Sequence, residues 1–184
     1  MSPLQTATPR VHSATALDNS FMGNTVQICV VSRDLQRTIE GMTRLGLGPW
    51  QVFTCGRDLV TDTTYRGRPA EMTFRLALAF SGSMMWEVIQ PVDGPTTYAD
   101  FLDRHGEGLH HVLVDCNGVP WDERLRLFEG RGYQIVQSGV FAGQVPFAYF
   151  STEDDTSATI ETAFFPEGFS LPQPEQWYPA PPPA

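Results

Sequence analysis

Two short apolar stretches that begin alike constrain this chain more than any other feature. The first is Val26-Gln27-Ile28-Cys29-Val30-Val31-Ser32-Arg33-Asp34, and the second is Gly108-Leu109-His110-His111-Val112-Leu113-Val114-Asp115. Laid over each other, Gln27 falls on His111. Each stretch runs into a helix start and then into further strands, and each set of strands closes on an apolar segment with one glutamate inside it. Those segments are Met85-Trp86-Glu87-Val88-Ile89-Gln90-Pro91 and Ala158-Thr159-Ile160-Glu161-Thr162-Ala163-Phe164. Self-similarity of this kind predicts one supersecondary unit built twice and packed as a pair. Successive side chains of a strand point to opposite faces, so His110 and His111 cannot share an environment. The overlay expects His111, on the face of Leu113, to look into a cavity and His110 to face away from it.

A carboxylate inside an apolar strand is costly unless it is paired or holds a metal, and neither Glu87 nor Glu161 has a Lys or Arg beside it in its strand. Gln27, Glu87, His111 and Glu161, at matched places in the two copies, therefore form one candidate site. Composition narrows what that site serves. A formal net charge of -9 and a pI near 4.7 exclude the basic surfaces that nucleic acids and anionic membranes reward, which leaves a small-molecule partner. Cys29, Cys55 and Cys116 have no paired spacing and form no CxxC motif, as expected of free thiols in a reducing cytoplasm. The first 24 residues lack the basic and apolar regions of a signal peptide, and no run approaches the roughly twenty apolar residues of a membrane span. A cytoplasmic protein of one domain is expected from the 184 residues.

Taken in order, residues 1 to about 22 read as an arm, and Thr25 to Val31 as a strand. Ser32 or Asp34 caps a helix whose apolar positions Leu35, Ile39, Met42 and Leu45 recur at helical spacing, with Gly46-Leu47-Gly48-Pro49 as its stop. A strand follows at Trp50 to Thr54. The polar segment from Cys55 to Pro69, with Tyr65 and Arg66 in it, is expected to be a substrate-facing loop. Met72, Phe74, Leu76, Leu78 and Phe80 alternate as in a half-buried strand, and Ser81-Gly82-Ser83 turns into the Glu87 strand. A short helix near Thr97 to Arg104 joins the halves, and the second half repeats the plan. There Pro120 opens a helix, and Leu171 onward forms an extended Pro-rich tail.

The phrases Val30-Val31-Ser32-Arg33-Asp34-Leu35, Leu45-Gly46-Leu47-Gly48-Pro49-Trp50, Trp86-Glu87-Val88-Ile89-Gln90-Pro91, Gly106-Glu107-Gly108-Leu109-His110-His111-Val112 and Ile160-Glu161 resemble the vicinal oxygen chelate superfamily. That group includes glyoxalases, bleomycin-resistance proteins and methylmalonyl-CoA epimerases. The resemblance implies an α+β fold in which two βαβββ modules, about 24–92 and 106–168, form a curved mixed sheet that half-encloses a metal and substrate cavity. It implies Gln27, Glu87, His111 and Glu161 as ligands of a divalent metal, and a homodimer. Many relatives have His where Gln27 stands, and the arginine that some zinc-type glyoxalases use for glutathione is Val31 here. Amide, imidazole and carboxylate donors suit Zn, Ni, Co, Mn or Fe(II). The expected activity is that of an isomerase, epimerase or lyase working through an enolate of a small carbonyl or acyl substrate. Glu161 is the first candidate for the catalytic base and Glu87 the second, while Tyr65, Arg75, Trp86, Phe147 and Tyr149 are candidate substrate contacts. Two alternatives stand beside it. One is a non-catalytic binding or resistance protein for a hydrophobic compound, and the other is an extradiol dioxygenase, whose iron site wants a second aligned histidine.

Overall fold

The computed structural model describes residues 21–183. All but the last two residues of the expected N-terminal arm lie outside the described residues. Among the described residues, eleven strands join in one sheet and four helices accompany it: β1 Thr25–Val31, α1 Leu35–Arg44, β2 Trp50–Cys55, β3 Val60–Tyr65, β4 Arg68–Pro69, β5 Thr73–Ser81, β6 Met84–Asp93, α2 Thr97–His105, β7 Gly108–Asp115, α3 Trp121–Glu129, β8 Ile135–Phe141, β9 Val145–Phe150, α4 Glu153–Thr156, β10 Thr159–Ala163 and β11 Gln176–Tyr178. The spatial order is β11-β2-β5-β6-β1-β7-β10-β9-β8-β3-β4. Its middle eight strands read the same from either end once β7, β8, β9 and β10 are matched to β1, β2, β5 and β6. This is the α+β curved mixed sheet of two βαβββ units.

The register makes the duplication concrete. At the centre, antiparallel β1 and β7 set Gln27 opposite Leu113 and Cys29 opposite His111. Parallel pairing sets Gln27 beside Met85 and Cys29 beside Glu87, and in the other half His111 beside Thr159 and Leu113 beside Glu161. A two-fold exchange of the halves therefore carries Gln27 onto His111 and Glu87 onto Glu161. The alternation of each strand sends one set of side chains to the concave face, where Phe53, Phe74, Leu76, Leu113, Phe147 and Tyr149 cluster. The other set packs under α1, with Trp50, Val88, Leu35 and Ile39, or under α3, with Val114, Phe128 and Phe150.

Asp34 caps α1 by accepting from the Arg37 backbone N–H. Ser32 instead uses its hydroxyl to join the β1–α1 turn to Glu107, at the entry to β7. Glu107 also accepts from the Arg33 N–H and, through both oxygens, from Arg37 at 2.7 Å. One carboxylate thus ties the start of the second unit to the first helix.

Two expectations about connecting chain are corrected. The segment from Cys55 to Pro69 is not an open loop: β3 and β4 form a hairpin, and β3 pairs antiparallel with β8 of the other unit. The tail is not merely extended, because β11 adds to the edge of β2, and Glu175 accepts from the Thr54 N–H and hydroxyl. The first correction shapes the cavity. β2 and β3 lie near opposite ends of the sheet, yet only residues 56–59 separate them in sequence. Five peptide steps reach at most roughly 17 Å. The sheet must therefore curl until its ends nearly meet.

Candidate metal and substrate site

Inside the curl lies a cavity of about 80 Å³ with Gln27, Glu87 and Glu161 in its lining. His111 stands between the two carboxylates: its Nε2 is 3.1 Å from Glu87 Oε2 and 3.0 Å from Glu161 Oε2. All four residues are buried, with exposures of 3% for Gln27, 7% for Glu87, 2% for His111 and 4% for Glu161. The central pairing explains their meeting. β1, β6, β7 and β10 are neighbours, and the register sets Glu87 and His111 in the row of Cys29, and Gln27 and Glu161 in the next row of the same face, that of Leu113.

Electrostatically the cluster is short of positive charge. Glu87 Oε2, His111 Nε2 and Glu161 Oε2 are buried without a hydrogen-bond partner of good geometry. Burial pulls the His111 imidazole toward neutrality, but the Glu161 and Glu87 carboxylates outweigh it and raise its pKa to about 9. Burial also raises the Glu161 carboxyl, opposed by His111. An imidazolium is what the two converging carboxylates demand when no other cation is present. A divalent ion meets the same demand, and one imidazole, one amide oxygen and two carboxylates are donors it takes. The residues fit such an ion.

His110 does not line the cavity but lies close behind it: it falls at a break in the β1–β7 register between Cys29 and Val30, and its ring packs against Phe101 and the cavity-lining Tyr98 and Tyr149. Its Nδ1 lies 2.8 Å from Nδ1 of His111. Burial first, then His111, depresses its pKa, so it is a neutral imidazole. Phe147 and Tyr149 line the cavity, and the Tyr149 hydroxyl bonds that of Tyr98 at 2.9 Å. Tyr65 does not reach the cavity, because its hydroxyl bonds Asp100 at 2.6 Å beside Arg66.

Trp86 and Arg75 are corrections to the expected substrate contacts. Glu87 faces inward, so Trp86 must face outward, where it packs with the α1 cluster. Phe74 and Leu76 line the cavity, so Arg75 between them points away from it. Two neighbours of the site were not foreseen. Cys29 offers its Sγ within 4.8 Å of ligand-capable atoms of Glu87 and His111. Its place two residues after Gln27 on one strand face was the available signal. Tyr98 comes from α2, and only the packing of that helix over the sheet brings it there.

The chain is similar in fold to several solved structures. One is methylmalonyl-CoA epimerase from Mycobacterium tuberculosis, at 18% identity and a TM-score of 0.59, covering 85% of this chain and 95% of that one. A second is a variant of the Streptomyces coelicolor methylmalonyl-CoA epimerase in complex with 2-nitronate-propionyl-CoA, at 15% identity and a TM-score of 0.59, covering 82% and 99%. A third is a hypothetical protein from Bacillus halodurans, at 15% identity and a TM-score of 0.60, covering 80% and 98%. No match was found among curated protein sequences. The sequence profile of the glyoxalase/bleomycin resistance protein/dioxygenase superfamily matches residues 26–149, a span that contains Gln27, Glu87 and His111 and ends before Glu161. With its profile matched over more than half of the sequence and its two βαβββ units curled about one cavity, this chain belongs to the glyoxalase/bleomycin resistance protein/dioxygenase superfamily.

Proposed function

We propose that this chain is a divalent-metal-dependent isomerase, epimerase or lyase that moves the α-proton of a small carbonyl or acyl substrate. Gln27, Glu87, His111 and Glu161 would hold the ion. The observation that supports this most directly is the convergence of Glu87 Oε2, His111 Nε2 and Glu161 Oε2, all buried and without a hydrogen-bond partner of good geometry. A bound Zn, Ni, Co, Mn or Fe(II) ion supplies Lewis acidity to a substrate oxygen. The protein's own residues do the rest. Glu161 takes the α-proton as carboxylate and returns it as carboxylic acid, which balances an epimerisation or isomerisation without a co-reactant. Burial raises its affinity for that proton, the direction a base for a carbon acid requires. The apolar walls keep water from the developing charge. Glu87 is the second candidate base. We further propose a cytoplasmic homodimer, with sedimentation as its measure.

The apolar lining favours a second reading, a protein that binds a hydrophobic compound without turnover. Metal analysis of protein purified without chelator separates the two, together with NMR of substrate exchange in D2O. The proposed activity requires bound metal and entry of deuterium at the α-carbon. Glu161→Gln should retain the metal and slow exchange by about two to four orders of magnitude. Exchange that survives both Glu161→Gln and Glu87→Gln would remove the carboxylate base. Ligand binding by metal-free protein without exchange would establish the second reading.

A further inference from the structure

We infer that the site takes a compact, uncharged, hydrophobic carbonyl compound, such as a small cyclic hydroxyketone, and not a phosphate-bearing acyl thioester. The inference rests on the proposed site and names its substrate class. Polar groups in the cavity are confined to one end: Gln27, Glu87 and Glu161, with the tyrosine pair Tyr98 and Tyr149 beside them. The rest of the lining is aliphatic or aromatic. About 80 Å³ of free space admits roughly five to eight water-sized groups at about 10–15 Å³ each, the size of one small ring with its oxygens.

The mouth decides against an anionic handle. Its partly exposed lining residues are Met85, Phe141, Phe165, Phe169 and Leu171, all apolar. Three of them belong to the segment after β10. That segment continues the inward alternation Glu161, Ala163, Phe165, and the Phe165 ring lies tilted against Phe169 at a ring separation of 6.3 Å. One run of chain thus presents the Glu161 carboxylate at the base of the cavity and the Phe165 ring at its rim. Phosphates are recognised by Arg and Lys. The sequence contains no lysine, and no arginine lines the cavity among the described residues. Arg37, Arg57, Arg66 and Arg104 are already paired with Glu107, Glu71, Asp100 and Glu153. The net charge of -9 repels a polyanion further. Phe165 is 41% exposed, an aromatic face that an apolar ligand at the mouth would cover.

The test titrates metal-loaded protein by calorimetry with 2-hydroxycyclohexanone and, separately, with propionyl-CoA, and follows α-carbon exchange of each in D2O. The ketone should bind and exchange, and propionyl-CoA should do neither. Phe165→Ala and Phe169→Ala should each weaken ketone binding about three- to tenfold with metal content unchanged, from the loss of part of a phenyl contact. Phe165 is exposed enough for its alanine variant to fold. Binding or exchange of propionyl-CoA in place of the ketone would overturn this substrate class and leave the proposed reaction standing. Ketone binding that both variants weaken, without exchange, would uphold the substrate class and sink the reaction. Failure of both probes to bind metal-loaded protein, or ketone affinity unchanged in both variants, would overturn the inference.

Discussion

His110 and His111 show how much one residue of register decides. His111 can give Nε2 to a metal only with its proton on Nδ1, and the atom opposite that proton is Nδ1 of His110. His110 would then fix the tautomer and orientation of the ligand from outside the cavity. Replacing His110 by Phe keeps a ring against Tyr98 and Phe101 but removes the acceptor. Metal affinity, measured by chelator competition, should fall about 10- to 100-fold. Unchanged affinity would reduce His110 to packing. Strand alternation expects the two rings on opposite faces, but the β1–β7 register is broken at His110, and the rings meet there instead. The same alternation applied to Glu87 and Phe74 turns Trp86 and Arg75 away from the cavity.

Between elements, short polar links hold the two units in place. The Glu107 carboxylate, supported first by Arg37, then by the Arg33 N–H and the Ser32 hydroxyl, has a pKa lowered to about 2. A lowered carboxylate contributes stability that is present above its unfolded pKa of about 4.3 and lost as pH falls toward about 2. Glu107→Gln should therefore melt below wild type at pH 6, and the gap should close between about pH 4 and pH 2 in calorimetric scans. A gap that persists at pH 2 would mean the link does not act through charge. The turn from β6 to α2 sets a second condition. Gly94 has φ +81°, and a side chain there would collide with the Glu71 backbone carbonyl. Gly94→Ala should cost at least about 2 kcal/mol, from left-handed backbone plus displacement of Glu71, and lower the melting temperature by several degrees. Gly139 faces the Phe147 ring so closely that an added methyl would collide with it.

For the whole molecule, closure of the sheet is what makes a cavity. The β3–β8 pairing and the short connection at residues 56–59 bring the two ends together, while β11 covers the edge of β2. An uncovered strand edge is a template for another chain. Protein ending after Leu171 keeps Phe165 and Phe169 but loses β11, the Glu175 contacts to Thr54, and Tyr178 against the α1 cluster. It should melt at lower temperature and form larger species by size-exclusion chromatography, while still binding an apolar ligand. A monodisperse, equally stable truncation would show that the edge needs no cover.

By itself the sequence determined the duplicated plan, because hydrophobic period and cap residues act within a few residues of one another. Val26 to Val31 and Leu109 to Val114 can hardly be anything but strands, and Leu35, Ile39 and Met42 mark one helix face. It also determined that Gln27, Glu87, His111 and Glu161 occupy equivalent places in two copies. Tertiary structure alone decided the rest. Which edge receives β3, that the tail ends as a strand, and that Tyr98 and Cys29 stand beside the glutamates all depend on pairings between residues distant in the chain. Such pairings follow from the twist and curl of the whole sheet, and no local period records them. The gap of about 3 Å between His111 and each glutamate is of the same kind. It exists because β1, β6, β7 and β10 lie side by side at the centre of a sheet that bends around them.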